Sequence, residues 1–312
     1  MKPSTISLLN SFTIDSLPNL DVVTLGALEL FQLKKLPHVE FSMYTRPLIV
    51  GSGNAEATGR IIFETKDAIF ASESNYEEKL RTIPSIDGVV LFSASGGKHA
   101  PIIAKCAKEL GKHITLITDQ PDSEAHSCLT DGDREFVLFK NREPYTYNTS
   151  TYMGMILAST QEDPAKIERF ITECIDVLDF TKLSQYEKYY IIVPARFSGV
   201  VSMLQIKFIE LFGRTISYTV ETSEYVKHAT TIVPSKELFI SFGEENNLWG
   251  DPGARMYIPL PDNADYGAMM AVGYYVMGKL QASHPDYFKQ HIEEYTEAIS
   301  KVFGETISPI VE

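Results

Sequence analysis

The sequence predicts an α/β protein with two doubly wound parallel sheets, and three observations lead there. Short β-rich runs alternate with helical patterns along the chain. The runs are continuously apolar rather than alternating, as strands covered on both faces must be. The length, 312 residues, suits two domains of ordinary size.

In the first half the candidate strands are 47–50 (PLIV), 68–71 (AIFA), 88–92 (GVVLF), 113–117 (HITLI) and 136–139 (FVLF). The clearest helix between them spans 98–110, where Ile102, Ile103, Cys106, Ala107 and Leu110 recur at helical spacing and Gly111 supplies the stop. A second series follows at 189–193 (YYIIV), 215–220 (TISYTV), 237–241 (ELFIS) and 255–259 (RMYIP), then a helix over 266–280. Between the series a polar helix over 163–178 opens with Asp163 as N-cap and Pro164 at its first position. The expected organisation is a helical, peripheral segment at 1–40, a first domain at 41–162 and a second at 163–312.

Composition narrows the function classes. With 44% hydrophobic and 22% charged residues the chain is an ordinary globular protein, neither collagen-like nor disordered. A net charge of −13 argues against a nucleic-acid-binding surface, so an anionic ligand needs a local site. Cys106, Cys128 and Cys174 form no CxxC pair, which speaks against a disulfide framework or a cysteine zinc site. The N-terminal residues lack a signal-peptide pattern and no run of about 18 apolar residues follows, so a cytoplasmic protein without membrane contact is expected.

Two turns directly follow strands, where open parallel sheets bind ligands. After PLIV comes Gly51-Ser52-Gly53-Asn54-Ala55. Glu56 stands where a dinucleotide fingerprint needs its third glycine, leaving a close-approach loop or a plain tight turn. After GVVLF comes Ser93-Ala94-Ser95-Gly96-Gly97-Lys98, which opens the 98–110 helix. Two hydroxyls, two glycines and a helix N-terminus favour a phosphate over a simple serine cap, and Lys98 adds a positive charge. A lysine in a first helical turn opposes the helix dipole, which also favours an anionic partner.

The segment VVLFSASGGKHAPIIAKCAKELGKHITLIT resembles the phosphate-loop segment of sugar isomerase (SIS) domains: a strand, SxSGxT, a helix and a strand ending in IT. The earlier GSGNA is similar to that family's first glycine turn. Lys98 stands in place of the family threonine, and Ala55 where a serine is common. The resemblance implies two three-layer α-β-α, flavodoxin-like SIS domains. It also implies a sugar phosphate held by Ser93, Ser95, Gly96, Gly97 and Lys98, with Gly51, Ser52, Gly53, Asn54 and Thr149 near the sugar, and no metal or cofactor.

The second half resembles the isomerase part of glucosamine-6-phosphate synthase, a double-SIS protein, in its K-x-x-E followed by E-x-x-H order. Lys207-Phe208-Ile209-Glu210 closes a helix, and Glu221 and Glu224 precede His228 in VETSEYVKHA. The interval from Glu210 to His228 exceeds the family's usual one, and Ala229 replaces its glycine.

Aldose–ketose interconversion needs a base that carries a proton between C1 and C2 and a group that opens the ring. Glu210 follows Met203 and Ile206 at helical spacing, so partial enclosure and a raised pKa are expected. It also reads as a helix-end carboxylate paired with Lys207 or Arg214, and His228 as an ordinary polar histidine. The leading expectation is a homodimeric phosphosugar isomerase with Glu210, Glu224 and His228 as catalytic residues. The alternatives are a deglycase of 6-phosphorylated sugar–amino-acid adducts and a non-catalytic phosphosugar-binding regulator.

Overall fold

A computed structural model describes residues 4–228, 236–285 and 287–312. From the N-terminus, α1 (Thr5–Leu9) and α2 (Leu20–Leu33) precede β1 (Leu48–Val50), α3 (Asn54–Ile62), β2 (Ile69–Ala71), α4 (Tyr76–Thr82) and β3 (Gly88–Phe92). Then come α5 (His99–Glu109), β4 (His113–Thr118), β5 (Arg134–Val137), β6 (Glu143–Pro144), α6 (Thr149–Thr160) and α7 (Pro164–Phe170). The second series is β7 (Lys188–Val193), α8 (Val200–Phe212), β8 (Ser217–Thr222), α9 (Ser223–His228), β9 (Leu238–Phe242) and β10 (Arg255–Ile258). It closes with α10 (Tyr266–Ser283), α11 (Tyr287–Phe303) and β11 (Ile310–Val311).

The chain forms two compact units, each discontinuous in sequence: residues 33–140 with 148–161, and residues 1–32 with 141–147 and 162–312. The first holds a five-stranded sheet of order β2-β1-β3-β4-β5, parallel throughout, in register at Val50↔Leu91 and Phe92↔Ile117. The second holds a four-stranded parallel sheet of order β10-β9-β7-β8. The strand order reverses between β1 and β3 in one and between β7 and β9 in the other, the signature of doubly wound sheets.

In the five-stranded unit, Leu48, Val50, Val89, Leu91, Ile114 and Leu116 pack with Ala100, Ile103, Ala104 and Ala107 of α5. Those four α5 positions share one helical face, and three are alanines, which let the helix lie close to the strands. Ile102, expected on that face, is exposed to solvent, because the stripe turns through Ala100 and Ala104 instead.

Three other elements differ from expectation. Strand β5 begins two residues before the apolar run, because the Asp133 carboxylate accepts the Ile114 N–H at 2.8 Å and pins the strand entry beside β4. Helix α7 keeps its Asp163 cap and Pro164 start but gives way to a π-helical turn at Ile171–Ile175. Helix α2 is core rather than peripheral: Leu20, Val23, Ala27 and Leu28 are fully buried, and its Asp21 backbone lies so close to Gly278 of α10 that a side chain there would collide. Among the described residues no helix is long and apolar enough to cross a membrane.

Candidate functional site

Both candidate loops of the five-stranded unit lie at the C-terminal ends of β1 and β3, the neighbouring strands that flank its switch point. In the first turn, Gly51 has no room for a Cβ, which would sit 2.6 Å from the Glu56 amide nitrogen. Ser52 donates to the Glu73 carboxylate. Asn54 opens α3 and is buried, and its Oδ1 has no hydrogen-bond partner among the described residues.

In the second turn, Ser93 Oγ accepts the Gly96 N–H at 3.1 Å and Ser95 Oγ accepts the Gly97 N–H at 3.3 Å. A hydroxyl that accepts still has its proton to donate, so both serines shape the loop while remaining available to a phosphate oxygen. Gly96 has φ 59°, and a Cβ there would lie 2.3 Å from Ser123 Oγ.

The two turns share a backbone conformation. Gly53, the residue before α3, has φ 55° and ψ −121°, and Lys98, the residue before α5, has φ 54° and ψ −111°. Glycine adopts such angles freely and a lysine does not. Such strain at a non-glycine residue persists only where the surrounding structure imposes it. Lys98 is exposed.

Beneath this loop lies a cluster that sequence reading missed. Ala94 O accepts both Thr118 Oγ1 (2.8 Å) and the Asp119 N–H (3.0 Å). The buried Asp119 carboxylate accepts the Thr151 hydroxyl from the first turn of α6 and lies 3.4 Å from Lys140 Nζ. Burial raises the Asp119 pKa, against the lowering effects of Thr151 and Lys140. Asp119 thereby ties the phosphate-type loop to the start of α6, where Thr149 is wholly buried. The available signal was the polar Thr118-Asp119 pair at the C-terminal end of β4, the same sheet edge as the two turns.

The remaining candidates lie in the four-stranded unit. Helix α8 is apolar nearly all round because it packs against α10, α11 and β8. Lys207 is fully buried in it, and its ammonium lies 2.8 and 2.9 Å from the carbonyls of Thr146 and Tyr147 and 2.6 Å from Glu210 Oε2. The two carbonyls accept hydrogen bonds from the ammonium, and Glu210 is its ion-pair partner. About a fifth of the Glu210 side chain is exposed (21%), while its Oε2 is buried. Burial raises its pKa, and the Lys207 ammonium offsets part of that rise. Both sequence expectations for Glu210 are met, partial enclosure and a Lys207 partner.

Tyr145 and Tyr295 stand nearby, their rings 6.0 Å apart. Burial, then the charges of Tyr295, Glu305 and Glu210, push the Tyr145 phenol up to about 12. Burial and Glu210 raise Tyr295 as well. Both phenols therefore keep their protons at neutral pH. Sequence reading named neither for this role, since nothing local marks a tyrosine as the neighbour of a distant glutamate. Glu224 and His228 occupy the two ends of α9 and are both exposed. Ala229 lies outside the described residues. Among the described residues no group of three or more His, Cys, Asp or Glu could hold a metal ion.

The candidates therefore divide: Gly51–Asn54, Ser93–Lys98 and Thr149 belong to the five-stranded unit, while Glu210, Glu224 and His228 belong to the four-stranded one.

No protein-family model and no curated protein sequence matches the chain. Solved structures do. A Clostridium difficile 630 protein provisionally assigned as a phosphosugar isomerase matches with TM-score 0.60 at 12% identity, over 91% of this chain and 98% of that one. The C-terminal domain of glucosamine-fructose-6-phosphate aminotransferase from Francisella tularensis matches with TM-score 0.59 at 13% identity, over 92% and 93%. Tagatose-6-phosphate ketose/aldose isomerase from Escherichia coli matches with TM-score 0.59 at 12% identity, over 91% and 92%. At such identities the likeness is one of fold, and that fold is the SIS-type α/β architecture which the Ser93–Lys98 segment led us to expect.

Proposed function

We propose that the protein binds a sugar phosphate and interconverts its aldose and ketose forms by proton transfer through an enediolate. Ser93 and Ser95 donate hydrogen bonds to the phosphate and Lys98 supplies the opposing charge, with Gly96 and Gly97 allowing the backbone to approach. The Gly51–Asn54 turn and Thr149 contact the sugar. Glu210 removes the proton from C2 of the open-chain aldose, leaving an enediolate; the C2-hydroxyl proton passes to the C1 oxygen, and Glu210 returns the carbon-bound proton to C1 to give the ketose, the reverse direction taking the C1 proton first. Glu224 and His228 supply acid/base groups for ring opening.

Glu210 carries this reading. A carboxylate at its ordinary pKa is a weak base, whereas an enclosed one is a stronger base for a carbon acid. Glu210 is enclosed beside the buried Lys207 cation yet keeps about a fifth of its side chain exposed (21%), which suits a base more than a purely structural partner of that lysine. The fold of solved phosphosugar isomerases over nine-tenths of the chain supports the same reading.

The decisive experiment replaces Glu210→Gln and follows exchange of the C2 proton with solvent deuterium by NMR, with phosphosugar binding measured in parallel. Binding should persist and exchange should fall by about 10²-fold or more. Exchange at the wild-type rate in the variant would remove Glu210 as the base.

A further inference from the structure

The segment after β6 holds a backbone outlier with no local reason to exist. Thr146 has φ 75°, in the left-handed region, although its side chain is β-branched. Its hydroxyl gives no compensation, since Oγ1 is buried without a hydrogen-bond partner among the described residues. Such a conformation persists only where the surroundings impose it.

The surroundings here do so from both sides. Before Thr146, the Tyr145 N–H donates to Pro309 O at 2.8 Å, and β6 pairs antiparallel with β11 through Pro144↔Ile310. After it, the buried Tyr147 hydroxyl donates to Pro18 O at 3.1 Å and accepts from Gln281 Nε2 at 2.9 Å. Between these pins, the carbonyls of Thr146 and Tyr147 both meet the Lys207 ammonium.

We propose that Thr146 is a positioning residue: its pinned left-handed backbone aims two carbonyls at Lys207 and thereby fixes how the ammonium is shared with Glu210. The inference rests on the reading of Glu210 as the base. The turn's two carbonyls hold the ammonium by hydrogen bonds at 2.8 and 2.9 Å, and so set its place beside Glu210 Oε2, its ion-pair partner at 2.6 Å. Lys207 then acts as a fixed cation rather than as a proton carrier. Were the turn to relax to negative φ, the ammonium would lose the two carbonyls that accept its hydrogen bonds and keep only its ion pair with Glu210. A buried charge so deprived favours transfer of its proton to the carboxylate. The titratable groups facing Glu210 are Lys207 on its own helix, Tyr145 on the turn and Tyr295 on α11, with Glu305 acting on Tyr145.

The test reads Glu210 directly in the free protein, by ¹³C NMR titration of labelled glutamate carboxyls with the signal assigned through Glu210→Gln. Tyr147→Phe removes one pin without changing the packing, and the Glu210 midpoint should rise by about half a unit to one unit. Thr146→Gly adopts the same φ without strain, so alone it should leave the midpoint unchanged and raise the melting temperature. Added to Tyr147→Phe, it should bring the midpoint back towards wild type. An unchanged midpoint in Tyr147→Phe, or no restoration by glycine, overturns the proposal. If Tyr147→Phe does not fold, Thr146→Gly still decides: a lowered melting temperature or a moved midpoint overturns it. No substrate is involved, so failure of the isomerase reading shows in the exchange assay and failure of this inference in the titration.

Discussion

Lys207 and Glu210 sit one turn apart on α8 with Nζ 2.6 Å from Oε2, the lysine fully buried and the glutamate partly exposed. The unequal burial makes the pair asymmetric: part of the Glu210 side chain is exposed, and none of Lys207 is. Replacing Lys207→Met should therefore raise the Glu210 pKa further, because burial would then act unopposed. In its proposed role as base Glu210 works only when ionised, so the acidic limb of the rate profile should move to higher pH. The Thr146 and Tyr147 carbonyls would also lose their donor, and stability should fall by about 2–3 kcal/mol. Rate–pH profiles and urea unfolding check the two parts separately.

Lys98 adopts backbone angles suited to glycine. Lys98→Gly should raise stability by about 1 kcal/mol through relief of strain. The same change should weaken inorganic phosphate binding, because it removes the cation of the loop. Thermal unfolding and calorimetric titration with phosphate would show opposite signs, and equal phosphate affinity in both proteins would release Lys98 from its assigned role.

The Asp119 pKa is raised in the folded protein, so the native state keeps its proton to higher pH than the unfolded chain. As pH rises from the ordinary carboxylate range towards neutrality, the unfolded state ionises first and the native state loses relative stability. Asp119→Asn abolishes that titration. The variant should therefore gain stability relative to wild type between about pH 4 and pH 7, as denaturant midpoints at the two ends would show.

Glu162 accepts the backbone N–H groups of Asp265, Gly267 and Ala268 at 2.8, 2.7 and 3.1 Å, and so caps α10 from outside the helix. Glu162→Gln removes the charge that complements the helix N-terminus and leaves one oxygen to accept. A loss of about 1 kcal/mol is expected, without effect on phosphate binding. Urea unfolding measures it.

Strand β3 follows the run GVVLF to the residue, and α8 carries Lys207–Glu210 near its C-terminal end, as the sequence led us to expect. The cap at Asp163 and the serine–glycine turn after β3 were equally legible, because each depends on neighbours within a few positions. Helix α11, whose buried face is only Phe288, Ile292 and Thr296, and the two-residue strands β6 and β11 were not. Their stability comes from partners elsewhere in the chain, and β6 meets a strand that follows it by more than 160 residues.

The candidate site divides in the same way. The sequence by itself determined the two α/β series, the Ser93–Lys98 loop with its helix behind it, and Glu210 as a carboxylate on an apolar helix. All of these are written in spacing and local chemistry. Only the tertiary structure decided that Lys207 lies wholly buried against the carbonyls of Thr146 and Tyr147, 61 and 60 residues away, and that Asp119 ties the loop to α6 through Thr151. It alone set the left-handed Thr146. The physical reason is that burial, which moves a pKa or holds a strained turn, belongs to everything packed around a residue. Periodicity reports only which face of its own element the residue occupies.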